Sequence, residues 1–275
     1  LKEEKMPELP EVETIVVELN KSIIGKTIAH IEEYRKNTIY ADESLDLGKL
    51  GAINEISRRG KYIIIATDRN CDLIIHLRMT GKLILADLTD PSAKHTRAII
   101  TFADKTKLMF DDVRTFGTIH ILNRDNRHEI LCRLGCEPLS PDFNYGTLKQ
   151  LLERRKSSIK SFLLDQRAVA GLGNIYVNEI LFACGISPHR AANTITEKEI
   201  RLLVTKTRQI LKIALEHNGT SISDYRRIDN KTGSFQNFLK IYGKDKCLCG
   251  HQVKRTKSSG RSTFHCPKCQ KEKEV

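Results

Sequence analysis

Two groups of residues have types and spacings suited to chemistry. The first is Met6-Pro7-Glu8. Removal of Met6 turns the Pro7 ring nitrogen into a free secondary amine beside an acid, which is a nucleophile next to a proton donor. An α-amino group titrates at about 7.7 to 8.0, so an appreciable fraction is neutral near pH 7, whereas a lysine must first have its pKa lowered. The second group is Cys247, Cys249, Cys266 and Cys269, two pairs separated by 16 residues. Paired cysteines across such a gap indicate one structural zinc ion held by four thiolates. A site assisted by His251 or His265, or a hairpin without metal, are the alternatives. Cys266-Pro267-Lys268-Cys269 has the spacing of a zinc knuckle; Cys247-Leu248-Cys249 is one residue shorter and needs a tight turn to bring both thiolates to one side, which Gly250 favours.

The elements that position these groups follow from hydrophobic period and turn chemistry. Pro10 suits a first helical turn, Glu11 and Glu13 complement the positive end of the dipole, and Val12, Ile15, Val16 and Leu19 form an apolar stripe that closes near Gly25. A helix starting just after Pro7 would fix the amine in place. Short apolar runs at 62–66, 73–77, 82–85, 98–102, 107–110 and 118–122 predict antiparallel strands, and their regular spacing predicts a sandwich or barrel. From Tyr145 the pattern becomes helical. The clearest helix spans 196–219, with a Thr196-x-x-Glu199 capping box and apolar Ile200, Leu203, Val204, Leu211, Ala214 and Leu215. Residues 135–144, with Pro138 and Pro141, read as a linker.

The chain is 275 residues long with a formal net charge of +12, which favours a polyanionic partner. Residues 241–275 carry nine Lys/Arg against three Asp/Glu, so half of the excess lies in the cysteine-rich end. No signal peptide or bilayer-length apolar run is present. A reducing cytoplasm is expected, with no membrane partner. Cys71, Cys132, Cys136 and Cys184 then read as buried thiols. Lys2-Glu3-Glu4 can be encoded by a purine run of the ribosome-binding kind, which predicts a mis-called start, with residues 1–5 lying ahead of a true initiator at Met6.

Several other stretches are ordinary by composition alone. Arg58-Arg59-Gly60-Lys61 reads as a solvated turn before a strand, and Met79 or Phe116 as strand-end core residues. Arg155 and Lys160 suit the polar face of a helix, and Arg261 an exposed hairpin tip. The glycine-rich turn at Gly171-Leu172-Gly173-Asn174 opens a helix without a surrounding βαβ unit, so it points to backbone N–H groups offered to a phosphate rather than to a dinucleotide fold.

Met6-Pro7-Glu8-Leu9-Pro10-Glu11-Val12-Glu13-Thr14 resembles the N-terminus of bacterial formamidopyrimidine-DNA glycosylases. Gly171-Leu172-Gly173-Asn174-Ile175-Tyr176-Val177-Asn178-Glu179 resembles their helix-two-turn-helix signature. The similarity runs from Pro7 to Gln270, with the motifs in the same order. It implies an α+β fold: an N-terminal antiparallel β-sandwich with flanking helices (6–135), a linker (136–144), a helix-two-turn-helix domain (145–240) with a lesion-capping loop (218–240), and a zinc-finger hairpin (241–275). DNA would lie in the cleft between them.

By the same resemblance the protein is a bifunctional glycosylase and abasic-site lyase of base excision repair. It would act as a nucleoid-associated monomer on double-stranded DNA containing 8-oxoguanine or formamidopyrimidines. Pro7 would attack C1′, Glu8 would supply a proton, Lys61 would assist proton transfer at a phosphate, and Arg261 would grip phosphates through the final elimination. Met79, Arg114 and Phe116 would fill the gap left by the flipped base, and His95, Arg155, Lys160 and Asn174 would contact DNA. Where relatives often carry Asp-Pro-Arg-Arg-Phe-Gly, this chain has Asp112-Val113-Arg114-Thr115-Phe116-Gly117, which leaves one backbone contact open to question and keeps the wedge residues. Pro7-Glu8-Leu9, rather than Pro-Glu-Gly, and the polar 218–240 stretch favour the oxidised-purine branch over an endonuclease VIII-like enzyme for oxidised pyrimidines. A non-catalytic damage binder is the alternative if Pro7 stays blocked.

Overall fold

The computed structural model describes residues 6–220, 233–258 and 260–271. The chain divides after Cys132: residues 6–132 form one compact unit together with 218–220 and 233–234, and Arg133–His217 with 235–271 form the other. Residues 1–5 and the 221–232 portion of the expected lesion loop lie outside the described residues.

In the first unit, helix α1 (Leu9–Ile23) buries Val12, Ile15, Val16, Leu19 and Ile23 along one face, as the apolar stripe requires. Among the described residues nine strands follow: β1 (Thr27–Glu33), β2 (Ile39–Ala41), β3 (Gly51–Arg59), β4 (Tyr62–Thr67), β5 (Cys71–His76), β6 (Gly81–Asp87), β7 (Thr96–Phe102), β8 (Thr106–Asp112) and β9 (Thr118–Asn123). They run in the order β2-β9-β5-β4-β3-β1-β7-β8-β6. The two halves meet at a short seam, where Thr27 pairs with Ala52 and Ile28 with Gly51. One apolar cluster draws on both halves and on α1, including Val12, Leu19, Ile56, Ile65, Ile75, Leu83, Ile100, Phe110 and Ile121, so the inner faces share a single core as in a sandwich. One pairing departs from the antiparallel expectation: β2 lies parallel to β9, with Tyr40 opposite His120. The single-turn helix α2 (His128–Leu131) ends the unit. Because α2 is so short, Cys132 emerges exposed rather than buried, and Cys136 is only partly covered; Cys71 and Cys184 are buried as expected.

The second unit contains α3 (Tyr145–Glu153), α4 (Ile159–Leu164), α5 (Asn174–Ala183), α6 (Glu197–Glu216) and the hairpin β10 (Lys254–Ser258) and β11 (Arg261–His265). The capping box predicted for α6 forms, with the Thr196 N–H donating to Glu199 Oε2 at 2.9 Å. Arg190 pairs with the same carboxylate at 2.6 Å, and these bonds hold Glu199 down at a pKa of about 2 against its burial. The linker stretch is itself bonded into this unit: the Gly135 N–H donates to Gln166 O at 2.9 Å, and Cys136 bridges to Val169. Helix α5 is buried from Ile175 to Leu181, so its two polar residues there, Asn178 and Glu179, must find internal partners. Glu179 accepts from the backbone N–H groups of Lys240, Ile241 and Tyr242 at 2.8–2.9 Å, fixing the chain as it enters the hairpin. No described helix is long and apolar enough to cross a membrane.

Candidate functional site

Pro7 and Glu8 are buried at the N-terminus of α1, with Glu8 as the extended N-cap residue. Glu11, one turn on and 2 % exposed, accepts the Glu8 backbone N–H at 2.9 Å through Oε2. Its other oxygen accepts the Thr220 N–H at 2.7 Å and the Thr220 hydroxyl at 3.0 Å. A single carboxylate thus joins the start of α1 to the point where the chain returns at 218–220. Gly219 is required there: it has φ +73, and a Cβ would sit 2.6 Å from Glu11 Oε1.

Lys61 lies in the β3–β4 turn and is buried. Arg58 ties this turn to α1, its Nε donating to Glu13 Oε2 at 2.6 Å and its Nη1 to Gly60 O at 3.0 Å. Beside Lys61, His76 is buried and stacks edge-on against Tyr62. Its Nδ1 accepts the Arg78 N–H at 3.0 Å, which places the ring proton on Nε2. Burial, with Arg78 and Lys61 adding repulsion, pushes its pKa down to about 3 and keeps the ring neutral.

The β5–β6 and β8–β9 turns bring three expected residues together. Arg114 Nη1 lies 3.4 Å from Met79 Sδ, and its guanidinium stands 5.2 Å above the Phe116 ring. Phe116 is 51 % exposed, an uncommon position for a phenylalanine beside a complete core. The backbone of His95 joins the same end of the sheet: its N–H donates to Asp111 Oδ1 at 2.8 Å and its carbonyl accepts from Asp112 N at 3.0 Å.

In the second unit the glycine-rich turn is shaped by Gln166, whose Oε1 accepts from Gly171 N at 2.9 Å and whose Nε2 donates to Leu172 O at 2.8 Å. Gly171 has φ +85, and Gly173 caps α5. Asn174, the first residue of α5, donates to Ser262 O at 3.0 Å. Arg155 is half-exposed, 3.7 Å from Asp165. Lys160 departs from the picture of an open phosphate contact. It is fully buried, and its amine donates to Ser262 O and Thr263 Oγ1, both at 2.7 Å. Asn178 completes the hold on β11 by accepting the Phe264 N–H at 2.8 Å. Arg261 stands exposed at the start of this strand, one residue before the pinned segment.

The four clustered cysteines converge, all sulfurs lying within 4.8 Å of one another. Cys247 and Cys269 are 3.8 Å apart, and Cys249 and Cys266 are 3.6 Å apart. A tetrahedral ion with metal–sulfur bonds of about 2.3 Å puts its sulfurs about 3.8 Å apart, whereas a disulfide needs about 2.05 Å. The donor set therefore fits a metal. The shortened first pair works because the Gly250 N–H closes a turn onto Cys247 O at 2.9 Å with Gly250 at φ +85. The Cys249 thiol is drawn down to about 6, chiefly by the His251 backbone N–H.

Residue types alone drew attention to the acid, the cations and the sulfurs, but not to the groups that hold them: Glu11 as a bridge, Thr80 and Asp112 beneath the exposed trio, and Asn178 beneath β11. All lie inside or next to the quoted motifs, which was their only signal.

Two family models match the chain: "Formamidopyrimidine-DNA glycosylase N-terminal domain" over 6–119 and "Formamidopyrimidine-DNA glycosylase H2TH domain" over 134–226. The formamidopyrimidine-DNA glycosylase of Carboxydothermus hydrogenoformans is 41 % identical over 272 residues, spanning 97 % of this chain and 100 % of the relative. Among solved structures, a point mutant of Lactococcus lactis Fpg in complex with Fapy-dG-containing DNA superposes with a TM-score of 0.90 at 40 % identity, covering 97 % of this chain and 100 % of that one. Lactococcus lactis Fpg with DNA containing an abasic site gives a TM-score of 0.88 at 38 % identity, over 96 % and 100 %. The chain is thus a DNA glycosylase of base excision repair, and DNA is its partner. The chain belongs to the formamidopyrimidine-DNA glycosylase family.

Proposed function

We propose that this protein excises oxidised purines, 8-oxoguanine and formamidopyrimidines, from duplex DNA and then cleaves the strand, working as a monomer. The observation that carries the reading is the Pro7-Glu8 pair buried at the capped start of α1, in a chain aligned over 97 % of its length with a formamidopyrimidine-DNA glycosylase. With residues 1–6 absent, the Pro7 amine attacks C1′ of the extruded nucleotide and the base leaves. Glu8 protonates the sugar ring oxygen as the ring opens, giving an iminium with C1′. The iminium acidifies the neighbouring C2′ proton, whose loss expels the 3′ phosphate; a second elimination expels the 5′ phosphate and releases the sugar remnant. Lys61 assists proton transfer at the lesion phosphate.

Met79, Arg114 and Phe116 fill the vacated stack, with Arg114 facing the orphaned base, which offsets an extrusion cost of a few kcal/mol. Their mutual contacts and the exposure of Phe116 support this assignment. His95, Arg155 and Asn174 bind phosphates, and Arg261 holds them through the eliminations. Lys160 serves the same grip from beneath, through the strand that carries Arg261. The four cysteines hold zinc, which when bound stiffens the hairpin, and the 218–240 stretch covers the base.

Borohydride trapping tests the reading on duplexes with 8-oxoguanine opposite cytosine, with intact mass reporting the N-terminus. Protein beginning at Pro7 is expected to give a covalent adduct, and protein retaining residues 1–6 none. No adduct from the Pro7 form would reduce the protein to a damage binder, and a preference for oxidised pyrimidines would move it to the endonuclease VIII-like branch.

A further inference from the structure

The exposed trio does not hold itself in place. Gly81 and Asp112 face each other across the β6·β8 ladder, so the turn carrying Met79 and the turn carrying Arg114 and Phe116 leave the sheet side by side. Asp112 is completely buried between them. Its Oδ1 accepts the Thr80 hydroxyl from one turn and the Arg114 N–H, at 3.2 Å, from the other. Its Oδ2 accepts the Gly117 N–H at 2.8 Å. Thr80 Oγ1 in turn accepts the Arg114 N–H at 3.0 Å. Between the two bonded residues sits Thr115 at φ +59, a left-handed conformation that a β-branched residue resists. Such a conformation persists only where the surroundings over-determine it. Here bonds to Arg114 N and Gly117 N clamp both sides of it. Gly117 has no alternative either, since a Cβ there would lie 2.3 Å from Phe110.

We propose that Thr80 and Asp112 are positioning residues which lock the two turns together, so that Met79, Arg114 and Phe116 enter the duplex as one preformed wedge. The proposal rests on the wedge role given above. A rigid wedge spends no binding energy on ordering itself, so the brace acts on duplex opening and has no part in chemistry on DNA that is already unstacked.

The test compares rates of trapped-adduct formation on a duplex carrying 8-oxoguanine opposite cytosine and on a single-stranded oligonucleotide carrying an abasic site. Thr80→Val keeps the shape and removes the hydroxyl; Thr80→Ser restores it; Asp112→Asn leaves one acceptor oxygen where two serve Arg114 N–H and Gly117 N–H, and sets an NH2 donor against the other. Thermal melting verifies that each variant is folded. Thr80→Val and Asp112→Asn are expected to lower the duplex-to-single-strand rate ratio about tenfold, and Thr80→Ser to recover it to within about threefold. A 2-aminopurine beside the lesion should show slower unstacking with Thr80→Val. A joint Met79→Ala/Phe116→Ala variant calibrates the wedge. If that double variant lowers the ratio and the folded Thr80→Val and Asp112→Asn variants do not, the brace is refuted and the wedge stands. If the double variant leaves the ratio intact, the wedge reading fails and the brace falls with it.

Discussion

The wedge turns of the first unit and the Arg261 hairpin of the second both present an exposed arginine at the end of a strand pair, yet they are held in opposite ways. The wedge grows from β6 and β8, which sit in a nine-stranded sheet over a large apolar core. A buried carboxylate and one hydroxyl, Asp112 and Thr80, join its two turns over strands that are already paired beneath them. The hairpin has two strands, and a two-stranded ribbon is marginal alone. It carries instead four sulfurs converged at one end, fit to take a metal, and is bonded by Lys160, Asn174 and Asn178 along β11. A site on a deep scaffold needs alignment, and a site on a thin one needs attachment.

This contrast is most easily broken at the metal. Structural zinc contributes about 10 to 16 kcal/mol in small zinc peptides, so chelation or Cys266→Ser should abolish hairpin order and DNA cleavage together while β4 and β5 keep their amide protection. Simultaneous loss of protection in both units would show that the sheet depends on the hairpin. The next largest effect is expected at Lys160. Lys160→Met removes two charge-assisted hydrogen bonds, each worth about 1.5 to 3 kcal/mol, and should speed amide exchange in β11 with no change in β8. Unchanged exchange in β11 would mean that the metal alone carries the attachment.

The smallest effect belongs to the sheet. His76 is held neutral to a pKa of about 3, while an unfolded histidine titrates near 6.5. Between those values the unfolded state binds the extra proton, so stability is full above about 6.5 and is lost as pH falls. By pH 5 the loss should reach about 2 kcal/mol, read as faster exchange of β4 and β5 amides. His76→Gln should flatten that slope; a slope of equal steepness in the variant would assign it to other groups.

The strand runs at 62–66 and 73–77 were legible because they are buried without a break from Ile63 to Ala66 and from Leu73 to Leu77, as were the capping box at Thr196 and the metal spacing. β1 gave little signal, since only Ile28 and Ile31 are buried in it and its partners supply the rest. The parallel β2–β9 pair has three residues a side and cannot be inferred from local pattern at all. Among site residues, chemistry-bearing side chains could be named from resemblance, but Lys160 could not be told from a surface cation, because a lysine's burial depends on acceptors 102 and 103 residues away. Cys132 escapes the buried-thiol pattern for a local reason, as the helix before it is a single turn.

The bridge from Glu11 to Thr220 spans 209 residues of sequence. During synthesis at about 5 to 20 residues per second, the carboxylate leaves the ribosome roughly 10 to 40 s before its second partner does. Throughout that interval α1 can form and even pack on its strands, but the returning chain that Glu11 anchors does not yet exist. A dipeptide made early is therefore among the last to be finished: its surroundings are completed only when most of the protein has already folded.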